Sequence, residues 1–228
     1  MEKKFFGVVK KSLFMMFAAA LILVFSSASA KAEEGVPGFS GKYSSTWLTK
    51  TPYTTYYSIS NYQKGDKIVS VKSSNPGVAT VKKGKLIGIN KPAIVMTPKK
   101  AGKTKLTCVV KRGGKKYTTS TTLLVVNYKN PLKSFKLDGK EYASKLKNNN
   151  TYYTKLSGQK TVTVTATKDW VVAGFYRYPA DSNFSQFHKS GDTIDLNGAT
   201  QLSVSLHSKK NKNLFLSVHL LVKQKVKK

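Results

Sequence analysis

The stretch from Ser73 to Val110 constrains the fold more than any other part of the chain. It alternates short runs of β-branched and apolar residues with turn residues, among them Asn75-Pro76-Gly77 and Ala101-Gly102. Apolar runs this short, between residues that fix or free φ, are typical of strands in an antiparallel sandwich. No segment between residues 33 and 128 has an apolar period of 3.6 residues long enough for a helix. The sequence therefore predicts an all-β sandwich here.

Four motifs within this stretch occur in the order typical of a known family. They are Ser73-Ser74-Asn75-Pro76, Val78-Ala79-Thr80-Val81, Gly84-Lys85-Leu86 and the run Lys99–Thr107. Together they resemble the group 2 bacterial immunoglobulin-like domain, over roughly residues 42–128. The resemblance implies an immunoglobulin-like sandwich of the kind used in surface and secreted bacterial proteins, adhesins among them. One departure from the family pattern is an additional strand-like run, AIVMTP, within Leu86–Pro98.

A second domain is predicted for residues 132–228, beyond a break at Asn130-Pro131. Its clearest feature is a hairpin in which strands over Gln201–His207 and Leu214–Val222 flank the turn Ser208–Asn213. Pattern alone predicts another immunoglobulin-like sandwich. The fold class is thus all-β, with two tandem immunoglobulin-like β-sandwich domains.

The alternation of apolar and polar residues predicts which other segments of this second domain are strands. Lys160–Lys168 alternates cleanly, and Trp170–Tyr178 is a strand rich in aromatic residues. Period two places Trp170 and Tyr178 on one face and Phe175 and Arg177 on the other. Segments 145–154 and 179–191 are polar and are predicted to be loops.

The N-terminus carries the pattern of a secretory signal peptide. Four lysines precede the apolar run Leu13–Phe25, and small residues follow it. The run of 13 residues is short for a bilayer span. We predict that residues 1–32 are a signal peptide and that 33–41 are a linker, with an uncleaved N-terminal anchor as the alternative. The protein is then secreted, associated with the cell surface, and without stable membrane insertion after cleavage.

The charge indicates which kind of partner the protein binds, and the cysteine content indicates where the protein is located. Beyond residue 32 the chain has 35 Lys and Arg residues against 9 Asp and Glu residues, a net charge of +26. Such an excess indicates anionic surroundings. Only two of these cations are Arg, which disfavours bidentate reading of bases or phosphates. We therefore predict no nucleic-acid partner but anionic cell-wall or extracellular polymers. A single cysteine excludes an intramolecular disulfide and favours a bacterial exported protein.

No arrangement of catalytic, cofactor-binding or metal-ligating residues emerges. Thr104–Cys108 with Arg112 resembles the cysteine strand of sortase transpeptidases, but the histidine that precedes the cysteine in that family is missing here. Alternation instead places Cys108 in a buried row with its neighbours at positions 106 and 110. The last hairpin should pair His207 with Phe215 and His219 with Ser203, which keeps these two histidines apart. We therefore predict a protein that is not an enzyme.

Binding residues can be suggested in the second domain. The aromatic strand offers Tyr176, Arg177 and Tyr178 beside a long loop, and immunoglobulin-like sandwiches often bury a Trp such as Trp170. Tyr178 and Arg177 lie nearest the loop and are expected to be exposed. The turn of the last hairpin adds three cations, Lys209, Lys210 and Lys212. The main prediction is binding to anionic envelope polymers. An adhesin that binds a glycan or protein receptor through the aromatic strand is the alternative, and a cysteine transpeptidase is a remote one.

Overall fold

The computed structural model describes residues 35–51, 53–86, 91–179 and 185–222. They form two compact units: the first includes residues up to Leu48 and from Pro52 to Val126, and the second includes Thr49–Thr51 and the chain from Asn127. Apart from one 3-10 turn, all regular structure in these ranges is β-strand, so the all-β prediction is confirmed. The predicted signal peptide lies outside the described residues. Within them, no helix has the length and apolarity needed to cross a membrane.

Seven strands make up the first unit. They are β1 (Tyr43–Leu48), β2 (Thr55–Ser58), β3 (Lys67–Ser73), β4 (Ala79–Lys85), β5 (Pro92–Pro98), β6 (Gly102–Arg112) and β7 (Lys115–Asn127). One sheet has the order β1-β7-β6-β3 and the other has the order β2-β5-β4. The third, sixth and seventh strands share a sheet, and the second, fourth and fifth share the other, as in an immunoglobulin constant-type sandwich. The inserted run AIVMTP is β5, the central strand of the smaller sheet.

Turn residues fix the register of the first unit. Gly113 and Gly114 have φ values of 53° and 86° and connect Arg112 to Lys115, which face each other at the end of β6 and β7. Two central residues with positive φ match the twist of a two-residue hairpin. At the other corner, the backbone carbonyl oxygen of Asn75 accepts a hydrogen bond from the backbone N–H of Val78, at 3.0 Å. The turn at Asn75-Pro76-Gly77 was predicted from sequence.

The core of the first unit lies between its two sheets. Leu106, Cys108 and Val110 alternate along β6 and are fully buried, as predicted. From the opposite sheet, Ile94 and Met96 of β5 are likewise fully buried. These residues belong to two neighbouring apolar clusters that both sheets supply.

The second unit contains nine strands and the 3-10 turn Ala143–Leu146. The strands are β8 (Leu132–Leu137), β9 (Lys140–Glu141), β10 (Thr151–Thr154), β11 (Gln159–Ala166), β12 (Trp170–Pro179), β13 (Gln186–His188), β14 (Thr193–Asp195), β15 (Ala199–Ser208) and β16 (Phe215–Val222). They form sheets of order β10-β16-β15-β12-β13 and β14-β11-β8-β9. The two sheets enclose one apolar cluster that includes Phe135 and Phe175. This is again an immunoglobulin-like arrangement, so the prediction of two such sandwiches is confirmed.

Two segments that were predicted to be loops contain short strands. Within 145–154, β10 pairs in parallel with β16, from Thr151 opposite His219 onward. Within 179–191, β13 pairs with β12. Both predictions were wrong because strands of three or four residues show no readable period, and their backbone groups pair with the open edge of a longer neighbour.

Candidate functional site

A bulge in β12 changes which face of the aromatic strand is buried. The pairing with β15 shifts register between Val172 and Gly174, so Ala173 is an extra residue. As a result Trp170 and Val172 pack against the same core as Phe175, contrary to the strict period-two assignment. Gly174 has a φ of 153°, and a Cβ there would lie 2.2 Å from the ring of Phe187. A side chain at position 174 would therefore force the exposed ring of Phe187 to move.

The predicted binding residues of β12 have structural partners. Tyr178 is buried, with 9% of its surface exposed, so the expectation that it is exposed was wrong. The Arg177 guanidinium donates to the carbonyl oxygens of Asp195 and Asn197, the latter at 2.7 Å. Tyr176 is half-buried, with its ring centroid 5.4 Å from that of Phe187 in an edge-on arrangement. Arg177 thus connects β12 to the chain around β14.

The last hairpin forms as predicted. His207 pairs with Phe215, and His219 pairs with Ser203. The Nδ1 atom of His219 lies 2.8 Å from the Ser203 hydroxyl and 3.1 Å from the Gln201 amide nitrogen. Burial lowers the pKa of His219 to about 4. Within the described part of the chain, no group of three or more His, Cys, Asp or Glu residues is placed to hold a metal ion.

The hairpin-turn lysines are only partly available to a ligand. Lys209, Lys210 and Lys212 are exposed. The Nζ atom of Lys210 lies 2.9 Å from a carboxylate oxygen of Asp169, and this ion pair lowers the pKa of Asp169. Elsewhere in the unit, Lys160 is paired in the same way with Asp138 at 2.7 Å. In this unit, surface lysines therefore share the surface with carboxylates.

Cys108 occupies an inert position. Its side chain is fully buried, and burial raises the pKa of the thiol to about 11. All three histidines of the sequence, at positions 188, 207 and 219, belong to the second unit. A thiolate nucleophile needs a base or a positive neighbour that lowers its pKa. The pKa of Cys108 is raised instead, so the thiol is poorly suited to act as a nucleophile.

We expect the thiol of Cys108 to resist alkylation while the first unit is folded. Iodoacetamide at pH 8 should react at least about 100-fold more slowly with native protein than with protein in guanidinium chloride, because the reactive thiolate is buried and scarce. Mass spectrometry of timed samples measures both rates. Ser120→Cys in a Cys108→Ala background is the matched control, since Ser120 is exposed on β7. Equal native rates for the two thiols would contradict the assignment of Cys108 as structural.

Positive charge is concentrated in the first unit. Residues 35–48 and 52–126 contain 15 lysines and one arginine but a single acidic residue, Asp66. Residues 127–222, in contrast, contain 13 lysines and six acidic residues. The charge excess that the sequence shows is thus uneven along the chain.

The one carboxylate of this part of the chain is buried in an internal ion pair. Asp66 has a side chain that is 1% exposed, and it accepts hydrogen bonds from Arg112 Nε at 2.9 Å and Nη2 at 2.8 Å. Hydrogen bonding from Arg112 is the largest cause that lowers the pKa of Asp66. Arg112 also donates to the carbonyl oxygens of Gly35 and Asn61. The described surface of the first unit therefore presents lysines and no carboxylate.

Six of these lysines lie on the outer side of one sheet. Their cross-strand partners and neighbours show that they point away from the buried row of β6. We call this set the lysine face: Lys67, Lys72, Lys103, Lys105, Lys111 and Lys116, all of them exposed. Lys67, Lys111 and Lys116 are opposite one another on three adjacent strands. Sequence reasoning missed this face, although the Gly113-Gly114 turn was a signal that aligns Lys111 with Lys116.

Comparison with known proteins gives distant likenesses. No protein-family model and no curated protein matches the chain. Among solved structures, PcdhgB3 EC1-4 is 11% identical with a TM-score of 0.32, and 83% of this chain spans 51% of that one. Domains 5-6 of the S-layer protein SbsC are 14% identical with a TM-score of 0.26, at 81% and 95% coverage. The endo-fucoidan hydrolase MfFcnA9 is 11% identical with a TM-score of 0.31, at 83% and 34% coverage.

TM-scores this low transfer neither a family nor a function. The resemblance of residues 42–128 to the group 2 bacterial immunoglobulin-like domain stays a prediction.

Proposed function

We propose that this protein is exported, is not an enzyme, and binds anionic polymers at the bacterial cell envelope through the lysines of its first unit. The observation that carries the proposal is the imbalance of charge in residues 35–48 and 52–126: 15 lysines are present while the one acidic residue of these ranges, Asp66, is buried against Arg112. Lysines on ordinary surfaces are interspersed with carboxylates, which limits the field they produce. The described surface of the unit carries no carboxylate to offset these lysines, and its positive potential attracts polyanions.

The N-terminal pattern supports export, and export supports an extracellular target. Residues 1–32 have the composition of a secretory signal peptide. Anionic polymers of the bacterial wall then become the most abundant partners within reach. Lysine suits such a partner, because a compact ammonium group attracts charge without demanding one planar geometry.

The alternative of a glycan- or receptor-binding aromatic strand has less support. Tyr178 is buried, and the Arg177 guanidinium is bonded to backbone carbonyls around β14. Substituting either residue would disturb the fold together with any binding, so neither forms an independent recognition group. Polymer binding by the first unit is the better-supported function.

Retention on purified Gram-positive cell walls is expected to depend strongly on salt. Raising NaCl from 0.1 M to 1 M shortens the screening length from about 10 Å to about 3 Å and should release most of the protein. A pull-down with washes of increasing NaCl measures this. Walls from which phosphate-bearing polymers have been removed by acid are the control, and they should retain little protein. Salt-insensitive retention, or equal retention on the stripped walls, would contradict the proposal.

A further inference from the structure

We infer that the lysine face is the polymer-binding site itself, and that its ligand is a linear phosphodiester polymer with hydroxylated, non-aromatic units. This inference rests on the proposed function and adds to it a site and a chemical class. It assigns binding to one side of the sheet that contains β3, β6 and β7, rather than to the net charge of the unit.

The position of these lysines is not explained by protection of sheet edges. Lysines on edge strands prevent strands of other chains from adding to the sheet. In the order β1-β7-β6-β3, however, β6 and β7 are interior strands. Four of the six lysines, at positions 103, 105, 111 and 116, are on these two strands. Edge protection can therefore explain only the two lysines of β3.

The arrangement carries an energetic cost that a ligand would relieve. Lys111 is directly opposite Lys67 on one neighbouring strand and Lys116 on the other, and in each pair the Cα atoms are about 5 Å apart. Like charges in directly opposite positions destabilise a sheet. No carboxylate occurs at the outer positions of β3, β6 and β7, all of which are described. An anionic ligand would remove the repulsion.

The spacing favours an extended ligand. Lys72 is opposite Thr107 and hence diagonal to Lys105, which forms a second group with Lys103. Measured along β6, this group lies four to eight residues from Lys111, or about 13 to 27 Å away. A polymer chain that carries a charge on each unit can contact both groups at once, whereas a small anion reaches only one.

The chemistry between the two lysine groups indicates the class of polymer. Outer positions there include the hydroxyls of Ser70, Thr107, Thr118 and Ser120. Hydroxyls can donate to phosphate oxygens or pair with hydroxyls of the ligand. The outer positions of these three strands carry no aromatic residue for stacking of bases and no arginine for bidentate contacts. A polyol phosphate fits such a surface better than a nucleic acid.

The test compares two variants with the same net charge. In the first, all six residues of the lysine face are changed to Gln. In the matched control, six other exposed lysines of the same unit are changed to Gln: Lys64, Lys82, Lys85, Lys91, Lys99 and Lys100. Titration calorimetry with purified poly(glycerol phosphate) at several NaCl concentrations gives the affinity and its salt dependence for the wild type and both variants.

We expect the face variant to bind at least about 30-fold more weakly, and the slope of log K against log salt to fall by about 4, if each lost contact contributes about 0.7. The control variant should keep most of the wild-type affinity and most of the wild-type salt slope. Circular dichroism and thermal unfolding verify that each variant is folded. Two partial variants change fewer residues and disturb the fold less: Lys67/Lys111/Lys116→Gln and Lys72/Lys103/Lys105→Gln. Each should show part of the decrease in the slope of log K against log salt.

The outcomes separate this inference from the proposed function. Equal weakening of the face and control variants would overturn the assignment of the site and leave polyanion binding intact. Failure of the wild type to bind either poly(glycerol phosphate) or cell walls would overturn the proposed function. Tighter binding of the wild type to duplex DNA or heparin than to poly(glycerol phosphate) would overturn the class of polymer.

Discussion

Replacement of Arg112 by methionine should lower the midpoint of thermal unfolding of the first unit by about 10 °C or more. The change leaves the Asp66 carboxylate, whose side chain is 1% exposed, without the guanidinium that neutralises it. Removal of one partner of a buried ion pair is costly because the other charge stays buried. Two further contacts, to the carbonyl oxygens of Gly35 and Asn61, are lost at the same time.

Lys111→Met is the matched control for this experiment. It removes the same charge from the neighbouring residue on β6, but Lys111 is exposed and faces Lys67 and Lys116. We expect its unfolding midpoint to stay near that of the wild type or to rise slightly. Differential scanning calorimetry of the full chain measures both variants. Equal midpoints for Arg112→Met and Lys111→Met would show that the ion pair contributes little.

Acidification is expected to destabilise the second unit through His219. Burial lowers the pKa of His219 in the folded state to about 4, from an ordinary value of 6.5. The unfolded chain therefore takes up a proton below pH 6.5, while the folded chain does not until the pH approaches 4. The stabilisation is complete above pH 6.5 and is lost as pH falls through that window. The free energy of unfolding should drop by about 3 kcal/mol between pH 7 and pH 4.

His219→Gln isolates this contribution. Glutamine keeps a polar group beside Ser203 and Gln201 but does not titrate, so the variant should have a flatter stability profile between pH 7 and pH 4. Urea unfolding monitored by tryptophan fluorescence at each pH gives the two profiles. Carboxylates that the fold stabilises titrate in both proteins and cancel in the difference. Identical profiles would mean that His219 takes up its proton without cost in the folded state.

Most of the fold could be predicted from local sequence patterns. The alternation of Leu106, Cys108 and Val110 predicted a buried row on β6, and the turn at Ser208–Asn213 predicted that Ser203 pairs with His219. These predictions hold because strand alternation and tight turns are set by residues close in sequence. Prediction failed where one residue breaks the period. The bulge at Ala173 moves Trp170 to the core face of Phe175, and only Gly174 gave a hint of it.

The candidate site was harder to predict because its parts are distant in sequence. Asp66 and Arg112 are 46 residues apart, so their pairing follows from the antiparallel register of β3 and β6 and not from any motif. The neutralisation of Asp66 by Arg112 could therefore not be seen in the composition. The lysine face similarly requires the register of three strands. Net charge gave the class of ligand, while the location depended on tertiary structure.

The burial of Asp66 also limits how copies of this protein can crowd together on a polymer. Residues 35–48 and 52–126 offer no acidic surface to which the lysines of a second copy could bind. The first units of neighbouring copies on one polymer would repel each other, so binding should be anticooperative at low ionic strength where these units meet. Added salt weakens each copy's attachment while it allows copies to sit closer. Coverage of the polymer would then be greatest at an intermediate ionic strength, where attachment still holds and the repulsion between neighbours has faded.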